Sequence, residues 1–114
     1  MTVRIPLTLV SEANSREHWA QKARRARQQR ALTAACVLNK LGRFGALLHH
    51  RGLWTITRMI HKRGREMDSD NLQRACKAVR DGIADALGLD DKHLMVEYHQ
   101  ERSPDGQAWV DISW

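Results

Sequence analysis

Residues 71–87 carry a continuous apolar face at helical spacing, and Gly88 follows at its end. Side chains three and four positions apart lie on the same side of a helix, and Gly is a common residue just past a helix end. A helix with one apolar side must bury that side against another element. The segment therefore predicts a packed helix, whose buried face would contain Leu72, Ala75, Cys76, Val79, Ile83, Ala86 and Leu87.

Four shorter segments alternate apolar and polar residues, which is the pattern of half-buried strands. Pro6 favours an edge position for the first strand, or an interruption of it, because proline donates no backbone hydrogen bond to a neighbour. The turn sequence at residues 103–106, Ser-Pro-Asp-Gly, predicts an antiparallel hairpin between the last two strands. The four segments are residues 3–9, 52–62, 94–102 and 109–114.

A second helical pattern extends from Arg16 to about Leu41, and Gly42 and Gly45 close it. Its apolar face consists mostly of alanine, so the element packed against it must come close. The order β-α-β-α-β-β predicts an α+β fold in a single domain, residues 1–114, with two helices packed on a small mixed sheet. The residues assigned to the apolar face of this first helix are Trp19, Ala23, Ala26, Ala34, Val37 and Leu41.

The composition, 42% apolar and 28% charged over 114 residues, is typical of a soluble globular domain. No apolar run approaches the length of a membrane span, and the N-terminus lacks the layout of a signal peptide. Cys36 and Cys76 have no second cysteine nearby, which argues against a disulfide framework or a zinc knuckle. We expect both thiols to be buried and inert, and the protein to be cytoplasmic.

The net charge of +6 conceals a strong asymmetry along the chain. Residues 1–65 hold 14 Lys and Arg against two Glu, and residues 66–114 hold five against 11 acids. A basic half indicates a polyanionic partner, and the lack of bulky apolar anchors favours nucleic acid over a membrane surface. The residues assigned to DNA phosphates are Arg24, Arg25, Arg27, Arg30, Lys62, Arg63, Arg65 and Arg74.

Arg30 has two interpretations because it falls within the apolar stripe of its helix. Its aliphatic stem could cover the core while the charged head stays in water, or the guanidinium could point across the helix toward a phosphate.

Asp68 and Asp70 stand where the basic run at residues 62–65 gives way to the helix. Acids at this position commonly cap a helix N-terminus, and they could equally hold a metal ion against a phosphate backbone. Asp90 and Asp91 follow the far end of the same helix, about 25 Å away if the helix is straight. Asp91 can join a site with Asp70 only if it returns on the next strand, or if the site is assembled differently, for example across a dimer.

The polar face of this helix carries Asp70, Arg74, Lys77 and Asp81. A solvated face with a Lys77–Asp81 pair is one interpretation, and a contribution to a phosphate site is the other.

The run Asp68-Ser69-Asp70-Asn71-Leu72, with Lys77, Asp81-Gly82-Ile83, Leu87 and Asp90-Asp91 after it, resembles the RusA-type Holliday junction resolvases and their prophage relatives. The likeness is densest over residues 66–96. It implies a RusA-like fold and a homodimeric, Mg²⁺-dependent endonuclease that resolves four-way DNA junctions by symmetric nicks in recombination and repair.

The resemblance also implies site residues. The acidic metal ligands of the family correspond to Asp68, Asp70 and Asp91, and its essential lysine corresponds to Lys77 or, by spacing from Asn71, to Arg74. We favour Lys77. A positive charge there would stabilise the charge that develops on the phosphate. A non-catalytic DNA-binding module of the same fold is the alternative, and a structural protein whose carboxylates are only caps is a third hypothesis.

Overall fold

The computed structural model describes residues 1–11, 18–49 and 52–114. The predicted start of the first helix at Arg16 lies outside these residues. The α+β class is confirmed. In chain order the elements are β1 (Thr2–Ile5), α1 (Trp19–His49), β2 (Leu53–Ile60), α2 (Ser69–Ala75), α3 (Lys77–Leu87), a 3₁₀ turn (Asp91–His93), β3 (Met95–Arg102) and β4 (Trp109–Ser113).

The four strands form one mixed sheet in the order β1-β4-β2-β3. β2 runs parallel to β3 and antiparallel to β4, and β1 pairs only with β4, also antiparallel. The predicted edge position of the first strand is therefore confirmed, and β1 ends immediately before Pro6.

The predicted hairpin between the last two strands is wrong. β2 lies between β3 and β4, and the loop that joins them crosses the end of β2. The amide of Ser103 donates to the Ile60 carbonyl at 3.0 Å, and that of Lys62 donates to the Gly106 carbonyl at 3.2 Å. The turn itself is present, with Gly106 at a φ of 75°. A turn sequence shows that the chain reverses, but it does not show which strand lies beside the reversed chain.

The second helix is divided rather than continuous, so the described chain has three α-helices where two were predicted. Cys76, with φ −86° and ψ −3°, separates α2 from α3. The buried face continues across this break, from Leu72 and Ala75 on α2 to Val79 and Ile83 on α3. An apolar pattern that keeps its spacing does not reveal a local change in ψ, which is why the sequence predicted one helix. Gly88 ends α3 in the left-handed conformation, as predicted.

The predicted buried face of α1 is wrong at its N-terminal end. Trp19 is 75% exposed and Ala26 is also exposed, whereas Gln29, Thr33 and Val37 are buried. Residues 19–41 form about 35 Å of helix, while α3, against which α1 packs, is about 16 Å long. The first turns of α1 therefore extend beyond their packing partner. Gly42, at a φ of 70°, interrupts α1 where the sequence placed its end, and helix resumes as far as His49.

α1 and α3 approach most closely at Gly82. A Cβ atom on Gly82 would lie 2.6 Å from the carbonyl oxygen of Arg30 and 2.7 Å from Cβ of Thr33. One cluster of buried side chains joins the helices to the sheet, and its best-buried members are Ile5, Val37, Trp54, Ile56, Cys76, Val79, Ile83, Val110 and Ile112.

Candidate functional site

The segment that leads into Asp68 is fixed by side chains of the sheet. Gln100, on β3, binds the backbone of Met67 twice: its Oε1 accepts from the Met67 amide at 2.9 Å and its Nε2 donates to the Met67 carbonyl at 2.7 Å. Arg58, on β2, donates to the Arg65 carbonyl at 2.8 Å. Arg102 donates to the carbonyls of His61, Lys62 and Gly64. The backbone is thus held, while the side chains of Lys62, Arg63 and Arg65 stay exposed.

Asp68 is the N-cap of α2, which confirms the capping interpretation for this residue. Its Oδ1 accepts from the amide of Asn71 at 2.8 Å, and its Oδ2 accepts from the Asn71 side chain at 3.1 Å. Asp70 lies in the first turn of α2, is exposed, and forms no ion pair or hydrogen bond through its side chain with another described residue. Each Asp68 oxygen keeps a further lone pair, so capping leaves this carboxylate able to bind a cation.

Arg80 brings the chain beyond α3 back against that helix. Its Nη2 donates to the carbonyls of Asp91 at 3.0 Å and Leu94 at 2.9 Å, and its Nη1 donates to the Tyr98 hydroxyl at 3.0 Å. The 3₁₀ turn that carries Asp91 is therefore folded back toward the start of α3. The sequence left open whether Asp91 returns to Asp70, and this contact brings Asp91 only as far as the start of α3, beside Lys77.

Asp91 comes to rest beside Lys77. Its Oδ2 is 3.7 Å from the Lys77 Nζ, which also lies 3.4 Å from Oδ2 of Asp81. A hydrogen bond with the Asp90 carboxyl, followed by the charges of Lys77 and Arg80, holds the pKa of Asp91 below its usual value. Asp91 is therefore ionised at neutral pH. The Lys77–Asp81 pair expected from the i,i+4 spacing is present.

Arg74 and Lys77 line the same cavity, of about 250 Å³, together with Arg80, Asp91 and Tyr98. Arg74 is exposed and forms no ion pair with another residue in the described part of the chain, whereas Lys77 is flanked by two carboxylates. The geometry therefore places both candidates for the basic site residue at one cavity, and only Lys77 contacts Asp91.

The three predicted metal ligands do not form one cluster in this structure. Among residues 1–11, 18–49 and 52–114, no group of three or more His, Cys, Asp and Glu side chains is close enough to hold one metal ion. Asp68 and Asp70 lie at the start of α2, whose seven residues span about 10 Å, and Asp91 lies beyond its other end, beside Lys77. The Mg²⁺ site from Asp68, Asp70 and Asp91 stays a prediction.

The predicted DNA-binding residues have different environments. Arg24 and Arg27 are exposed on α1, and Arg25 is half-buried. Arg30 bridges α1 to α3 through a two-pronged ion pair with Asp85, at 2.5 and 2.8 Å, and this bond raises the Arg30 pKa above its usual value. Neither interpretation of Arg30 anticipated this bridge, and a role in phosphate binding stays a prediction.

Four residues that shape the site were not anticipated: Arg58, Arg80, Gln100 and Arg102. Each binds backbone carbonyls or amides outside its own helix or strand, and no motif marks such contacts in a sequence. Arg80 is half-buried and directly follows the core residue Val79. This position next to the core was the one sign in the sequence that its side chain is held within the fold.

An uncharacterized protein from Xylella fastidiosa (strain Temecula1 / ATCC 700964) is 32% identical to the chain over 83 residues. The match covers 72% of this chain and 54% of the relative, so the chain spans about half the length of that protein. No family model matches the sequence, and no solved structure matches it. In the described part of the chain, no helix has the length and apolar character needed to cross a membrane.

Proposed function

We propose that this protein is a RusA-like, Mg²⁺-dependent endodeoxyribonuclease that resolves four-way DNA junctions by paired symmetric nicks, in recombination and repair. The observation that carries the proposal is the return of Asp91 to Lys77, at 3.7 Å, on the helix that follows Asp68 and Asp70. Without that return, the downstream acid of the D-x-D-N-L…K…D-D pattern would lie a helix length away from Lys77, the basic residue proposed for the site.

The carboxylates proposed to hold Mg²⁺ are Asp68, Asp70 and Asp91. Mg²⁺ takes oxygen ligands and is often bound by one or two carboxylates together with substrate phosphates, so this donor set suits the ion chemically. Bound there, it would activate a water and offset charge on the scissile phosphate.

Lys77 would contribute a positive charge to the phosphate that reacts. Its two carboxylate partners hold it in place, and the exposed Arg74 beside it would bind a neighbouring phosphate. The exposed basic side chains of residues 62–65 and of α1 would bind the DNA backbone without reading its sequence.

A homodimer would suit this substrate. A four-way junction has two-fold character, so a two-fold dimer could present one site to each of two opposed strands. A cytoplasmic location also belongs to the proposal, and the two free thiols, Cys36 and Cys76, are consistent with a reducing compartment.

A non-catalytic DNA-binding module is the second candidate, and specific contacts favour it. Asp68 caps α2, and the charge of Lys77 is offset by Asp81 and Asp91. In such a module the carboxylates would be structural, while the basic surface would still bind DNA.

The two candidates are separated by incubating the protein with a labelled synthetic four-way junction in Mg²⁺, and in parallel with EDTA. The nuclease predicts paired nicks that need Mg²⁺ and are absent on a linear duplex of the same sequence. Salt-sensitive junction binding with no nicking in Mg²⁺ would overturn the nuclease in favour of the module.

A further inference from the structure

A groove of about 400 Å³ separates the first turns of α1 from α2 and α3. It exists because α1 extends beyond α3, so this part of its alanine face has no packing partner. Ala23 and Ala26 form one side of the floor, and Ala75 and Ala78 form the other. Each contributes only a methyl group, so the floor is shallow, apolar and open to solvent.

The rim of the groove is strongly cationic. Five Lys or Arg side chains line it with one acid, Asp81, although Arg30 and Lys77 are paired with carboxylates on or beside α3. Two of the five, Arg27 on α1 and Arg74 on α2, are exposed and form no ion pair with a residue in the described part of the chain. A surface with an apolar floor and unneutralised guanidinium groups matches a ligand that is flat and apolar in one part and anionic in another.

The groove adjoins the cavity that Asp91 lines. Arg74 and Lys77 line both. If one phosphate of a DNA strand lay beside Lys77, the next nucleotide of that strand would therefore lie at the mouth of the groove. The shared lining favours a nucleotide of the same strand over a separate peptide as the ligand of the groove.

We propose that the groove binds one unpaired nucleotide of a DNA strand, with its base on the alanine floor and its phosphates on Arg27 and Arg74. The volume lies within the range of pockets that hold small ligands. Apolar contact with a base does not distinguish among the four bases, so binding would be independent of sequence. The inference rests on the proposed nucleic-acid substrate, but it requires neither the metal ion nor cleavage.

The floor is tested by filling it. Ala26→Leu places a bulky side chain on the floor, and Ala31→Leu makes the same change at an exposed position of α1 outside the groove. Leu is nearly as good a helix former as Ala, so both variants should fold, which far-UV circular dichroism checks. Binding is measured by fluorescence anisotropy in EDTA, with a labelled short oligothymidylate and with a blunt duplex.

We expect Ala26→Leu to weaken oligothymidylate binding roughly 10-fold, at the low end of the range for a stacked base, because the floor is apolar but not aromatic. Its duplex binding and both affinities of Ala31→Leu should stay at the wild-type level. Equal oligothymidylate affinity in the two variants would overturn the proposal. So would an acidic amphipathic peptide that binds in an Ala26-dependent manner when oligothymidylate does not, because the groove would then be a peptide site.

The rim is tested by its salt dependence. Arg27→Gln and Arg74→Gln should each lower the slope of log affinity against log salt for oligothymidylate by about 0.7, the value for one phosphate contact to a single strand. Arg43→Gln, at an exposed position of α1 outside the groove, is the control and should leave the slope unchanged. An unchanged slope in both groove variants would contradict the proposal.

The outcome is separable from that of the proposed nuclease. Ala26-dependent binding of oligothymidylate by a protein that cuts no junction would leave the groove assignment intact and remove the nuclease. If the protein cuts junctions but Ala26→Leu does not change its affinity for oligothymidylate, the nuclease stands and the groove assignment is removed.

Discussion

The Nζ of Lys77 lies 3.7 Å from the Oδ2 of Asp91, although the whole of α3 separates the two residues in sequence. The pair forms because Arg80 holds the carbonyls of Asp91 and Leu94 and so folds the 3₁₀ turn back along the helix. A basic residue from the start of a helix and an acid from beyond its end thereby reach one cavity. The proposed chemistry depends on this relationship.

Arg80→Gln should loosen that turn. The variant leaves two partly buried carbonyls without their charged donor, and we expect it to lower the free energy of unfolding by about 1–3 kcal/mol. Urea denaturation measures the loss. Arg43→Gln is the matched control, since Arg43 is exposed and forms no hydrogen bond or ion pair with another described residue. Equal stability of the two variants would show that Arg80 does not hold the turn.

Capping and metal binding by Asp68 are separated by two substitutions. Asn is as good an N-cap as Asp, so Asp68→Asn should keep the stability of the wild type but lose junction cleavage. Asp68→Ala should lose cleavage and also about 1 kcal/mol of stability, because the amide of Asn71 loses its acceptor. Thermal unfolding and the cleavage assay are run on both. Full cleavage by Asp68→Asn would mean that Asp68 is only a cap.

Gly82→Ala tests the close approach of α1 and α3. Alanine is the better helix former, so the change would stabilise a helix whose surface were open. Here the new Cβ would meet the Arg30 backbone at 2.6 Å, and we expect a net loss of about 1–3 kcal/mol. Gly45→Ala is the control, because the three nearest atoms to a Cβ there belong to the side chain of Leu41, at 3.2 Å or more, and none is a backbone atom. A Gly82→Ala protein more stable than wild type would contradict the packing.

The Arg30–Asp85 ion pair should make the stability of the fold depend on pH in the acid range. Its hydrogen bonds hold the pKa of Asp85 below the ordinary value, so the bridge stabilises the fold at neutral pH. That contribution begins to fall as the pH drops toward the unfolded-state pKa, about 3.9, and is lost once the pH passes through the lower folded pKa. Asp85→Asn should therefore have a lower Tm than wild type at neutral pH, with the gap closing in strong acid. A gap that persists in acid would mean that the bridge is not its source.

The Cys76 thiol should be unreactive in the folded protein. Burial raises its pKa to about 12, so little thiolate exists at neutral pH. In a Cys36→Ser background, labelling by a thiol reagent should proceed only when urea unfolds the chain. Fast labelling of the folded variant would contradict the burial of Cys76.

The sequence predicted most of the elements but not all of their partners. Alternation and helical spacing are local signals, so the apolar face of α2 and α3 and the Gly88 terminus were correctly placed. The first strand was placed correctly only in part, because the alternation continued to Leu9 whereas β1 ends at Ile5. The position of β2 between β3 and β4 depends on contacts between distant segments, which a turn sequence does not encode. The interior of α1 was correctly predicted to be helical. The burial of its first turns was not, because it depends on how far α3 extends along α1.

The candidate site shows the same division. Asp68 as a cap and the Lys77–Asp81 pair follow from local spacing, and both are present. The return of Asp91 depends on Arg80, and the rigid approach to Asp68 depends on Gln100 and Arg102. These are long-range hydrogen bonds from polar side chains to backbone atoms, and no residue spacing in the sequence predicts them.

The most direct test of the central claim is junction cleavage by Asp70→Asn in Mg²⁺, with Glu101→Gln as a control that removes an exposed acid of β3. Asp70 has no structural partner in the described part of the chain, so its loss should leave folding and junction binding near wild type. The nuclease predicts that Asp70→Asn binds the junction and does not cut it, while Glu101→Gln cuts normally. Cleavage by Asp70→Asn at the wild-type rate would contradict the account.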